Sequence, residues 1–127
     1  MKKGKKFNHL GRDKGARKAL LKNLSAQLIL SKRIFTTVAK AKALRTFVEP
    51  ILTRSKDDST HSRRSVFSVI PNKKVIKELF GEIARVIANR KGGYCRIVKM
   101  QTRFGDNAKM CFIELVDYNK DYIEKKK

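Results

Sequence analysis

Tryptophan is absent from this 127-residue chain, proline and cysteine occur twice each, and 11 acidic residues stand against 32 lysines and arginines. Each scarcity excludes something. With no Trp and few aromatics of any kind, the chain is poorly supplied with flat rings on which successive unpaired bases could stack, which favours phosphate contacts on structured nucleic acid. Cys95 and Cys111, with no secretion signal, are expected to be small, buried, reduced thiols rather than a disulfide framework. His9 and His61 are the only histidines, too few for a metal-ligand pattern. No apolar run has the length of a signal peptide or a membrane span, so the cytosol is the expected compartment and a membrane is not an expected partner.

Catalytic signatures are missing in the same way. The chain has no Gly-x-Ser-x-Gly, no glycine-rich phosphate cradle with its lysine and no Cys-x-x-Cys. Asp57, Asp58, Glu78, Glu82, Asp106 and Glu114 mostly alternate with cations, as solvated ion pairs do. No enzymatic activity, cofactor or small-molecule substrate is expected.

What is abundant is positive charge: 32 − 11 gives +21, a self-repelling excess that destabilises a compact chain unless a polyanion neutralises it. The length suits one small domain, able to bury roughly two-thirds of its unfolded surface. The first twelve residues carry Lys2, Lys3, Lys5, Lys6 and Arg12 with no acidic residue. They read as an arm that orders on phosphates, with Phe7, Asn8 and His9 available for packing or hydrogen bonding.

From Asp13, a plausible N-cap, a helix is expected to about Ser31, with Ala16, Leu20, Leu24 and Leu28 on its core stripe and Lys14, Lys18 and Lys22 on another. Arg17 falls on the apolar side by angle and is read as projecting past the core edge. Ile34–Thr37 reads as a strand. Thr37 caps a second helix burying Ala41, Leu44, Val48, Ile51 and Leu52, which Pro50 should kink or end near Glu49. The polar stretch from Arg54 to Arg64 reads as a loop leading into a short helix that Pro71 stops. Asn72 caps a last helix with the stripe Val75, Ile76, Leu79, Phe80, Ile83, Val86 and Ile87. Arg90 and Lys91 should lie near its C-terminus, with Gly92-Gly93 ending it.

Gly92 to Val116 reads as a hairpin, two apolar runs around a polar Arg103–Lys109 link whose Gly105 and Asn107 tolerate the positive φ of a chain reversal. Its Gly92-Gly93-Tyr94, Arg96-Ile97, Lys99, Arg103, Gly105-Asp106-Asn107-Ala108, Met110 and Glu114–Asp117 resemble the end of the bacterial large-subunit ribosomal protein L-seventeen family. The N-terminal half resembles the same family at Leu10-Gly11-Arg12, Arg17, Ala19-Leu20, Asn23-Leu24, Thr36-Thr37, Lys40-Ala41-Lys42, Leu44-Arg45, Val48-Glu49 and Arg63-Arg64. The opening Met1–Gly4 departs from the arginine-and-histidine start of that family.

Periodicity and composition give an α+β fold: helix, strand, three helices and two strands, with a small three-stranded mixed sheet packed on helices. The basic arm covers 1–12, the domain 13–117 and a lysine-rich tail 118–127. The resemblance implies a structural constituent of the large ribosomal subunit, bound to 23S ribosomal RNA and neighbouring subunit proteins at the solvent side near the polypeptide exit tunnel. It implies RNA contacts at the arm, Arg17, Asn23, Lys40, Lys42, Arg45, Arg63, Arg64, Arg96 and Arg103. The charge distribution adds Lys14, Lys18, Lys22, Arg90 and Lys91. Cations on nearly every element suit a protein touched from several sides by folded RNA, whereas a sequence-reading DNA module concentrates its readout on one element.

Overall fold

The computed structural model describes residues 10–118; the expected contacts at Lys2, Lys3, Lys5, Lys6, Asn8 and His9, and nearly all of the tail, lie outside them. The first helix, α1, spans Lys14–Ser31. The Asp13 carboxylate accepts the Ala16 N–H at 2.8 Å, satisfying one of the amides a helix start leaves open. Burial begins only in its second half, at Ser25, Leu28 and Ile29. Ala16 is exposed and Leu20 and Leu24 are half-buried, so the expected core stripe is core only at its C-terminal end.

Lys32 closes α1 in the left-handed region at φ 70°, where an L-residue is disfavoured by about 1–2 kcal/mol. Hydrogen bonds to three other elements hold it there. Its N–H donates to the Leu28 carbonyl at 2.7 Å, its carbonyl accepts from the Leu115 N–H at 3.0 Å, and its Nζ reaches Glu78 at 2.7 Å.

Strand β1 (Arg33–Thr37) leads directly into α2 (Val38–Arg54). Thr37 Oγ1 accepts the Lys40 N–H at 3.4 Å to start the helix. Of the two outcomes expected of Pro50, a kink or an end near Glu49, the end does not occur: the helix runs through the proline to Arg54. Pro50 and Thr46, whose carbonyl loses its helical donor, are both on the exposed side, where water can replace the missing bond. Val48, Ile51 and Leu52 are buried on either side of the proline, and that packing holds the two turns in register.

The polar stretch after α2 is also shorter as a loop than expected. Helix α3 begins at Thr60 and runs to Val69, because the Ser59 side chain accepts the Ser62 N–H and Asp57 accepts the Ser62 hydroxyl at 3.0 Å. Arg63 and Arg64 are therefore helical. Asn72 then caps α4 (Lys73–Glu78) through Lys74 and Val75, as expected. The helix continues through a π-helical turn, Leu79–Ile83, into α5, Ala84–Val86. The extra residue in that turn rotates the apolar stripe, leaving Val86 exposed while Ile83 and Ile87 are buried. The helix consequently stops before Arg90, and Gly93 (φ 62°) lies in the link to the hairpin.

Strands β2 (Cys95–Thr102) and β3 (Lys109–Leu115) form the expected hairpin, with Gly105 and Asn107 at positive φ in its turn. A one-turn 3₁₀ segment follows at Val116–Tyr118. Both strand pairings are antiparallel and the order is β1-β3-β2. The sheet is thus antiparallel throughout rather than mixed, because β3 lies between the two strands that run the same way.

One face of the sheet carries Thr36, Cys95, Cys111, Ile113 and Leu115, all buried. They meet Leu28 and Ile29 of α1, Leu44, Val48 and Leu52 of α2, Val66 of α3, and Val75, Leu79 and Ile83 of the last helical rod in one cluster. The cysteines are free. Cys95 stands opposite Leu115 and Cys111 opposite Lys99, so the two do not face each other. Burial pushes both thiols up, and the Glu49 carboxylate adds to the effect at Cys95.

Candidate nucleic-acid interface

The described carboxylates are used internally. Asp13 caps α1, and Glu49 accepts the Tyr94 and Cys95 amides, each at 3.1 Å. Asp57 holds Ser62. Asp58 takes a two-point bond from Arg63, which lowers its carboxyl below the usual range. Glu78 takes Lys32, and the neighbouring Glu78 carboxylate raises the Glu82 carboxyl. Asp106, Glu114 and Asp117 pair with Arg103, Arg33 and Arg90.

The cations face the other way. Lys14, Lys18 and Asn23 of α1 lie exposed, while Lys22 is half-buried. Arg17 is half-buried, its Nη1 3.5 Å from the Arg12 carbonyl, and Arg12 in turn donates to the Leu10 carbonyl at 2.7 Å. This back-bonding gathers Arg12 and Arg17 at the start of α1, next to the point where the arm enters. On α2, Lys42 and Arg45 are exposed and Lys40 half-buried.

Arg63 and Arg64 sit on α3 beside Lys73, around an open hollow that also includes Phe67 and Ile76. Lys73 was not singled out by sequence. Its signal was available, since a lysine in the first turn of a helix capped at Asn72 opposes the dipole and needs another reason to be there. Lys91 is exposed, but Arg90 is half-buried and turned inward to Asp117, with contacts of 3.0 Å. Arg96 lies partly buried on the outer sheet face, in register with Glu114. Arg103 at the hairpin turn makes a two-point pair with Asp106 that holds the Asp106 carboxyl down at about 2.

Two groups stand out among the expected contact residues. Lys14, Lys18, Lys42, Arg45, Arg64 and Lys91 are exposed with no ion pair to a described carboxylate. Arg63, Arg90 and Arg103 already hold carboxylates. The two exposed pairs, at Arg63 and Arg103, are of the weak surface kind that a phosphate can displace. Arg90 is the better buried of the three and serves the junction of the last helix with the sheet.

The sequence that builds these elements matches a known family over most of the chain. The family model described as ribosomal protein L17 matches residues 20–116. The chain belongs to that family. Its members include proteins named large ribosomal subunit protein bL17. The one from Porphyromonas gingivalis is 63% identical over 123 residues, covering 97% of this chain and 77% of the relative. That from Parabacteroides distasonis is 59% identical over 124 residues, covering 98% and 77%. That from Bacteroides fragilis is 58% identical over 126 residues, covering 99% and 78%. The family match takes in α1 from Leu20, the whole helical layer and all three strands. Among the described residues no helix is long and apolar enough to cross a membrane.

Proposed function

We propose that the protein is a structural constituent of the bacterial large ribosomal subunit, in the cytoplasm, that binds 23S ribosomal RNA and stabilises its fold at the solvent side near the polypeptide exit tunnel. Family membership carries the ribosomal part of this reading. The sorting of charge supports the RNA part: acids tied into the fold, cations left outward on α1, α2, α3 and the hairpin. In A-form RNA the deep groove excludes side chains, so these lysines and arginines meet phosphates and 2′-hydroxyls, and shape sets specificity. Lys2, Lys3, Lys5 and Lys6 of the arm supply further phosphate contacts. Neighbouring subunit proteins complete the environment.

Two measurements test the reading. The cellular protein cosediments with large subunits in high-salt gradients; a free pool bound to duplex DNA would overturn it. Each phosphate contact contributes about 0.9 to the log–log salt slope on a duplex, so deleting Met1–Lys6 flattens the slope for ribosomal RNA. An unchanged slope would show that the arm's lysines touch no phosphate.

A further inference from the structure

A groove of ≈ 720 Å³ opens where the start of α2 meets the far end of the hairpin. Three elements build it: Val38 and Lys42 from α2, Lys99 and Met100 from β2, Lys109 and Met110 from β3. None of its lysines pairs with a described carboxylate, and the carboxylate at the hairpin turn, Asp106, is taken by Arg103. The floor is apolar and adaptable, since methionine side chains reshape around what they touch.

We propose that this groove receives one unpaired nucleotide of RNA, its base against Val38, Met100 and Met110 and its flanking phosphates on Lys42, Lys99 and Lys109. The inference rests on the RNA-binding reading above and gives it a subsite. Three lysines lining one groove, none paired with a described carboxylate, call for an anion. An apolar floor does nothing for the phosphate ridge of a duplex, but it suits the face of a base turned out of a helix, the form in which RNA exposes its bases. The volume fits as well: it lies within the roughly 300–1,000 Å³ range of small-ligand sites and far exceeds what a lone phosphate fills. An acidic peptide would also meet the lysines, but Lys14, Lys18, Arg45, Arg64 and Lys91 are likewise exposed without a described ion pair, which suits a polyanion larger than a short peptide.

The test uses the full chain and three probes: a uridine decamer, a blunt RNA duplex of equal length and a glutamate-rich decapeptide, followed by fluorescence anisotropy across a salt series. Ala39, exposed and lining the groove, is changed in Ala39→Trp, which fills the hollow at constant charge. This variant weakens the decamer by about tenfold, the worth of one lost base contact, with the salt slope and duplex binding unchanged. Lys99→Gln with Lys109→Gln flattens the decamer slope by about 1.4, at about 0.7 per phosphate on single strands. Thermal melts confirm folding. If Ala39→Trp does not fold, the lysine variant decides alone, and an unchanged decamer slope overturns the proposal. Equal losses on duplex and decamer, or tighter binding of the decapeptide than of the decamer at the same salt, would also overturn it while leaving the RNA-binding reading intact. A wild-type chain that binds neither RNA would instead refute that reading.

Discussion

The hairpin is one piece of chain with two unlike ends. At its base, Tyr94, Cys95, Ile113, Glu114 and Leu115 are buried, and the Glu49 carboxylate from α2 clamps the backbone where β2 begins. At its tip, Gln101 to Asn107 are exposed and Phe104 stands wholly in solvent. Each end has an arginine–carboxylate pair. Glu114 at the base is 3% exposed while Arg33 is 49%, and at the tip Arg103 and Asp106 are 51% and 56% exposed. The same two functional groups thus do different work. Desolvation makes the inner pair part of the packing, whereas the outer one only shapes a turn that water can dissolve.

The comparison breaks most readily at the apolar contacts. Ile113→Ala removes about 2–5 kcal/mol of stability by opening a cavity, while Phe104→Ala changes it by less than about 0.5 kcal/mol; urea unfolding of both variants checks this. Equal effects would mean the base is not the anchored end. Next, Glu49→Ala leaves two backbone amides at the start of β2 without their acceptor and costs about 1–3 kcal/mol. Hydrogen exchange at Tyr94 and Cys95 accelerates accordingly, and protected amides in that variant would show that another acceptor takes over.

The two arginine pairs sharpen the contrast further. Arg33→Gln lowers stability by about 1 kcal/mol, because a buried carboxylate loses a charged donor that is itself half in water. Arg103→Gln shifts the unfolding midpoint by less than Arg33→Gln does, because both partners of its pair are exposed. The smallest effect is a titration. The Asp106 carboxyl, held at about 2 by Arg103 and by the Ala108 amide, gives its pair a contribution that is present above the ordinary carboxylate range and lost as pH falls toward 2. Carbon-detected NMR of the Asp106 side chain should show that midpoint, and Arg103→Gln should move it back up.

Local signals in the chain were readable wherever one residue decides the backbone. Asp13, Thr37 and Asn72 cap the helices expected of them, and Gly105 and Asn107 turn the hairpin. Where several weak terms compete, reading by residue type fell short. Pro50 forbids one helical bond, but only packing on both sides of it decides whether the helix ends. Ser59 looked like loop composition, yet its hydroxyl starts α3. The interface divides in the same way. Outward lysines on α1 follow from helical angle, but nothing local marks Arg90 as turned to an aspartate 27 positions along the chain.

By itself the sequence determined the large positive charge and most of the element inventory, because net charge is a sum over residues and caps, turns and apolar periods act within a few positions. Only the tertiary structure decided the antiparallel order of the sheet, the passage of α2 through its proline, the π-helical turn, and which arginines are spent on carboxylates. It also decided that Lys42, Lys99 and Lys109 share one groove. Those features depend on contacts between residues far apart in the chain, and long-range packing is chosen by the whole core at once.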